Sequence, residues 1–299
     1  KEIQKDGFKI DQKVRMPIMF SKSSDITKAT GVGMIGFSKA FVKLKPDIVV
    51  LAGDRFEILS AAFAAASEKI PIAHINGGES SFGAIDECIR HSVTKMSTWH
   101  FVSTKNYRKR VIQLGENPNR VFLVGSLGVE RIKKSKLLTK MQLEKKINFK
   151  FGKNNVLFTY HPVTLNNSSA KRDIKEILIA IKKLKDSKVI FTLPNADSEN
   201  DIIAKMIRKF VVKEKNKNKY KAFKSMGHIT YLSAMKYSNL VLGNSSSGII
   251  EAPSFKIPSV NIGDRQDGRI RALSTIGCST SENSILRAMK KASSKKFKK

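Results

Sequence analysis

Two cysteines, one tryptophan and eight prolines are few for 299 residues, and acidic side chains are scarce beside basic ones, 25 Asp and Glu against 56 Lys and Arg. Cys88 and Cys278 can form one disulfide at most and stand in no C-x-x-C or Cys/His spacing. That excludes a disulfide-stapled scaffold and argues against a structural zinc site. The longest nearly uninterrupted small apolar run, Ile58 to Ala66, contains Ser60 and falls far short of the ~20 residues that a membrane-spanning helix needs. No membrane partner is expected. The opening Lys1-Glu2-Ile3-Gln4-Lys5 places charges where a secretory signal carries an apolar stretch, and it does not begin with Met. A cytoplasmic protein, cut short at its start, is the expectation.

What is present is a globular composition, 41% hydrophobic, sufficient to bury a core and too apolar for a disordered chain. The length allows one large domain or two ordinary ones, and two fit better because single cores stop growing at roughly 250 to 300 residues. The formal charge of +31 invites a nucleic-acid reading, since basic surfaces release counterions on binding phosphates. Its distribution argues otherwise. The excess is Lys, 43 against 13 Arg, spread over 133–153, 182–188, 205–224 and 290–299. Base and phosphate readers favour the rigid guanidinium fork, and no helix-turn-helix, finger or aromatic RNA-binding motif accompanies the lysines. Solvated helix faces are the simpler account, and no nucleic-acid partner is expected.

Short β-branched runs recur with helix-like segments between them, the pattern of a parallel α/β sheet. The first series comprises 47–52, 70–75, 99–102 and 121–124, with helices expected over 56–67, 85–96 and 105–114. It reads as one doubly wound unit. After a Lys-rich stretch of weak apolar pattern at 133–153 come strands at 155–160, 188–192, 239–242 and 259–262, with a helix over 174–184. Two similar domains joined near 126–150 follow, with ligands expected in a cleft between the carboxyl ends of their sheets.

Strand 47–52 runs into Gly53-Asp54-Arg55, a carboxylate and a guanidinium at the strand end where α/β sheets place sites. Asp54 serves equally well as a cap of the next helix. The next strand ends in His74-Ile75-Asn76-Gly77-Gly78-Glu79, where paired glycines permit close backbone approach beside a second acid. Asp86 opens the following helix one turn before Arg90, a spacing that an ordinary surface ion pair explains. Three acids at consecutive edges of one sheet nevertheless suit acid and base work, because crowded carboxylates have their pKa values pushed apart. In the second series, His161-Pro162 ends a strand, although a lone histidine is more often structural. Asn244-Ser245-Ser246-Ser247-Gly248 opens a helix expected to run past Glu251 and stop at Pro253. Free N–H groups and hydroxyls there suit a phosphate, and Glu251 suits a ribose diol. Three serines used only as caps are the bland alternative. Arg265, in Gly263-Asp264-Arg265-Gln266-Asp267-Gly268-Arg269, adds guanidinium at the same edge.

Together AGDRFEILSAA, IPIAHINGGESSFGAIDECIRHSVTKMS, VIQLGENPNRVFLVGSLG, TYHPVT and GNSSSGIIEAPSFKIPSVNIGDRQDGRIRA resemble the hydrolysing UDP-N-acetylglucosamine 2-epimerases of the sialic-acid-type pathway branch. The resemblance runs from about residue 30 to 275. It implies a GT-B pair of Rossmann-like domains with parallel sheets, 1–128 and 129–299, and a homodimer or homotetramer. It implies conversion of UDP-N-acetylglucosamine to N-acetylmannosamine and UDP, without metal or redox cofactor. Asp54, Glu79, Asp86 and His161 match the family's catalytic groups. Arg55, Ser245, Ser246, Glu251 and Arg265 match its UDP contacts, with Arg90, Asn244 and Ser247 counted on the same side. The same reaction on a UDP-2,4-diacetamido-2,4,6-trideoxyhexose, as in a legionaminic-type pathway, fits these residues too. A GT-B glycosyltransferase and a Lys-rich nucleic-acid-binding module are further alternatives. Nothing upstream of Gly31 matches the strand and glycine loop with which family members begin. The chain is thus expected to lack roughly fifty residues at each end, including the first strand of its first sheet, and to turn over slowly.

Overall fold

A computed structural model describes residues 2–17, 23–82, 85–162, 170–194, 200–213, 218–294 and 297. Val163 and Thr164 of the TYHPVT string lie outside them. The chain divides into two units, one of Lys1–Glu79 and Ile85–Ser126, the other of Ser80–Ala84 and Leu127–Lys299. Among the described residues no helix is long and apolar enough to cross a membrane.

In unit 1 the elements are α1 (Glu2–Lys5), α2 (Ser23–Leu44), β1 (Val49–Ala52), α3 (Phe56–Ser67), β2 (Ile72–Ile75), α4 (Asp86–Met96), β3 (Trp99–Val102), α5 (Lys105–Gln113) and β4 (Val121–Leu123). The strands are parallel and lie in chain order, β1-β2-β3-β4. The doubly wound reading of this series is therefore corrected for the described strands, which advance without the reversal that defines such a sheet. Val49 and Leu51 of β1 pack with Ile72 of β2 beneath Ala61, Ala62 and Ala65 of α3 and Ile89 and Val93 of α4. The alanines let α3 lie close to α2, where the Ser60 hydroxyl donates to the Thr30 carbonyl (2.9 Å). Burying each large aliphatic contributes about 1.5–3 kcal/mol. Val50, on the other face of β1, is exposed.

Unit 2 contains α6 (Leu127–Lys134), α7 (Lys140–Ile147), β5 (Asn154–Thr159), α8 (Ala170–Lys182), β6 (Ser187–Thr192), α9 (Asn200–Lys213), β7 (Tyr220–Phe223), α10 (His228–Lys236), β8 (Leu240–Gly243), α11 (Ser247–Ile250), β9 (Ser259–Ile262), β10 (Thr275–Cys278) and α12 (Glu282–Ala292). Its parallel sheet has the order β10-β9-β8-β5-β6-β7, so the direction of winding reverses between β5 and β8. Val156 and Phe158 of β5 pack with Ile174, Ile177 and Ile181 of α8 on one face. Leu157, between them, packs with Leu143 and Ile147 of α7 and Met235 of α10 on the other. Burial on both faces is why these strands read as apolar runs without alternation. The Lys-rich stretch 133–153 is not an irregular linker. Thr139 and Gln142 form a reciprocal capping box that starts α7, and Asn148 ends it in the left-handed region.

Candidate active site

In unit 1 the chain leaves β1 through Gly53, whose φ is +100°, a conformation that favours glycine. Arg55, not Asp54, takes the N-cap position of α3. Asp54 is thus not the cap of that helix. Its Oδ2 is ion-paired instead with the Arg90 guanidinium, 36 residues on in α4. Arg90 also donates from Nη1 to the Glu79 carbonyl (2.9 Å) and to Glu87 Oε2 (2.8 Å). The surface ion pair expected for Arg90 is corrected, since only 1% of its side chain is exposed. It is also no open cation waiting for a phosphate. Carboxylates around it hold its pKa up against the opposing effect of burial.

A second strut supports the same corner. His74, on β2, is fully buried with Nε2 3.0 Å from the Gly53 carbonyl and Nδ1 3.2 Å from Thr94 Oγ1. Burial pulls its imidazole down from 6.5 to about 4, so at neutral pH it is the uncharged ring. The turn after β2 needs its glycines. At Gly78, φ is +74° and a Cβ would stand 2.5 Å from the Tyr107 carbonyl oxygen, while that glycine's own carbonyl accepts from Arg110 (2.6 Å). This holds Glu79, a buried carboxylate, where β2 ends. Asp86 begins α4. Arg55 is partly exposed and 3.4 Å from Glu57.

In unit 2 the reversal between β5 and β8 opens a crevice at their carboxyl ends, where open α/β sheets bind ligands. At the end of β8, Gly243 has φ +133° and so close an approach that a Cβ would lie 1.8 Å from the Thr159 oxygen. Asn244 follows, wholly buried. Its Oδ1 accepts from the His161 N–H (2.7 Å) and its Nδ2 donates to the His161 carbonyl (2.8 Å), clamping the end of β5 to that of β8. Its own carbonyl accepts from Gln266 (2.9 Å) and from Arg265 (3.4 Å). The Asn244 side chain thus joins the two strand ends by hydrogen bonds to the His161 backbone.

The serine run forms less helix than the sequence indicates. α11 is one turn, and Pro253 lies inside a 3₁₀ turn, Ala252–Phe255, instead of ending a longer helix. Ser245 and Ser247 face each other (3.1 Å), and the Tyr231 hydroxyl lies 2.6 Å from Ser247 Oγ. Burial pushes the Tyr231 phenol up, and the Glu251 charge adds to that shift. A cavity of about 280 Å³ gathers His161, Ser245 and Ser247 with Thr159, Thr192 and Tyr231. Sequence reasoning missed Thr192, Tyr231 and the loop Lys224 to Gly227 that lines the same space. The signal was thin, because Thr192 ends β6 and the others follow β7, and only the strand order brings them beside β5 and β8. A larger cavity, about 1100 Å³, includes Phe149, Lys188 and Tyr220, at the amino-terminal ends of β6 and β7, away from every candidate residue of unit 2.

The profile of the family described as UDP-N-acetylglucosamine 2-epimerase matches residues 1–299. GDP/UDP-N,N'-diacetylbacillosamine 2-epimerase (hydrolyzing) of Campylobacter jejuni is 44% identical over 300 residues, spanning 100% of this chain and 76% of that protein. Polysialic acid biosynthesis protein P7 of Escherichia coli is 40% identical over 299 residues, spanning 99% of this chain and 74% of that protein. The crystal structure of a UDP-GlcNAc 2-epimerase from Neisseria meningitidis bound to UDP-GlcNAc has the same fold, with a TM-score of 0.80 at 18% identity over 99% of this chain and 81% of that one.

Proposed function

The chain belongs to the UDP-N-acetylglucosamine 2-epimerase family, and from that premise we propose that it is a hydrolysing 2-epimerase of a UDP-linked 2-acetamido sugar. The observation that carries the proposal is the hydroxyl-lined crevice at the switch point of unit 2, and the carboxylates braced around Arg90 in unit 1 suit the same chemistry. Asp54, Glu79 and Asp86 handle protons, and His161 assists from its clamped position. Ser245, Ser246 and Ser247 meet the diphosphate together with Arg55 and Arg265, and Glu251 meets the ribose.

The reaction is an anti elimination followed by hydration. A carboxylate takes the proton at C2, the C–H electron pair forms the C1–C2 double bond, and the C1–O bond breaks with its electrons leaving on UDP. Water then adds across the 2-acetamidoglucal, hydroxide to C1 and a proton to C2 from the face opposite the one that lost it, which inverts C2. The weakly acidic C2 proton calls for a positioned base, and the charge growing on the diphosphate calls for fixed donors.

For the sugar, we propose a UDP-2,4-diacetamido-2,4,6-trideoxyhexose, supported by the name of the Campylobacter relative. UDP-N-acetylglucosamine is the second reading, supported by the description of the family. The test places enzyme in excess over each nucleotide sugar and follows UDP by ³¹P NMR and the released sugar by ¹H NMR. Release of UDP with a 2-epimeric free sugar and no acceptor supports the proposal, and faster release from one donor chooses the sugar. Inertness toward both donors refutes it.

A further inference from the structure

Arg90 leads the fully buried side chains by size. A guanidinium stays charged and cannot shed its proton to suit an apolar site, so its burial requires partners in the directions of its fork. Unit 1 supplies them from three places: Asp54 after β1, the Glu79 carbonyl after β2, and Glu87 on the same helix. Asp54 reaches the surface, its side chain 24% exposed, and Glu87 does so to 20%, against 1% for Arg90. The Asp54 carboxylate thus faces outward and is gripped from behind. One turn along α4, Thr94 bonds the Arg90 carbonyl (3.0 Å) and approaches His74, which approaches Gly53. Side chain and backbone of the Gly53-Asp54 corner are therefore both tied to α4.

We infer that Arg90 is a positioning residue: it acts on the reaction through Asp54, fixing the orientation of that carboxylate, and does not touch the nucleotide sugar. The inference rests on the reading of Asp54 as a catalytic group. Lysine is a poor replacement, because one ammonium cannot present parallel donors to Asp54, Glu87 and the Glu79 carbonyl at once.

The test is a double-mutant cycle. Wild type, Arg90→Lys, Asp54→Asn and the double variant are compared by single-turnover UDP release with enzyme in excess, with UDP Kd by calorimetry. Arg90→Gln runs in parallel should either variant fail to fold. Misplacing a reacting group by about 1 Å costs on the order of 100-fold. Arg90→Lys should therefore lower the single-turnover rate about 100-fold while UDP Kd stays within about twofold, and in the Asp54→Asn background the same change should cost less than about threefold. Equal losses in both backgrounds overturn the inference, as does a raised UDP Kd or KM with the rate unchanged, which is the signature of a substrate contact. A wild-type chain that turns over no nucleotide sugar overturns the catalytic reading of Asp54 and this inference with it. An active wild type with equal losses overturns this inference alone.

Discussion

Gly243→Ala tests how the unit 2 crevice is built. The residue sits at φ +133°, and an added Cβ would meet the Thr159 oxygen at 1.8 Å and its carbonyl carbon at 2.7 Å. Thr159 and Gly243 are register partners in the β5–β8 pair, so the obstacle is backbone that cannot swing aside like a side-chain tip. Two costs add. Holding a non-glycine residue at such a φ costs about 1–3 kcal/mol, and the overpacking adds about 1–3 kcal/mol, giving roughly 4 kcal/mol. At about 2–4 °C per kcal/mol for a domain of this size, the melting transition should fall by roughly 10 °C. UDP affinity should fall with it, because the displaced strand end carries Asn244 and with it the His161 backbone. Gly31→Ala is the control. A Cβ there has nothing within 4 Å, and in α2 the exchange should stabilise by about 0.5–1 kcal/mol. Circular-dichroism melts of both variants, with UDP titrations by calorimetry, decide the matter. A Gly243→Ala melt within about 2 °C of wild type would refute the account of the switch point.

Asn244→Ala strands two buried backbone groups of His161, each costing about 1–3 kcal/mol, so the urea midpoint should drop by the equivalent of roughly 3 kcal/mol and turnover should fall further than that of a distant destabilised variant. Tyr231→Phe removes one of the partners of Ser247, and the loss of about 1 kcal/mol should raise the UDP Kd roughly fivefold in calorimetry, with no comparable change in melting temperature. His74 gives a pH dependence with a defined sign. Its pKa is lowered on folding from 6.5 to about 4, so the unfolded state takes the proton first. The associated stability is complete above about pH 6.5 and is lost as the pH falls toward 4, by about 3 kcal/mol in all. His74→Gln should flatten part of the decline in urea-determined stability over that window. His100, lowered by its own burial, leaves a residual slope, and a variant as steep as wild type would count against the assignment.

Strand positions were legible because parallel strands buried on one or both faces spell apolar runs that local sequence cannot hide. The runs at 99–102 and 259–262 coincide with β3 and β9, and the others lie within two residues of the strands found at either end. Helices written in charge were harder to see. α7 hides its two buried side chains, Leu143 and Ile147, among lysines, and α12 likewise presents Lys290 and Lys291 at its end. β7, Tyr220-Lys-Ala-Phe223, reads as part of a basic stretch until its pairing with β6 is known.

The amino-acid sequence by itself determined the α/β class, the carboxylates at the ends of β1 and β2 and the start of α4, and the serine-rich turn after β8, because each depends on residues within one strand and its turn. Tertiary structure alone decided which of these groups are buried and which partners they bond. Arg90 looked like a surface partner of Asp86 at helical spacing, but packing buries it against Asp54 from another strand end. Asn244 clasps His161 across a strand reversal that no local pattern records. Both assignments turn on desolvation and on partners 36 and 83 residues away along the chain, and distances of that kind exist only once the sheet is closed.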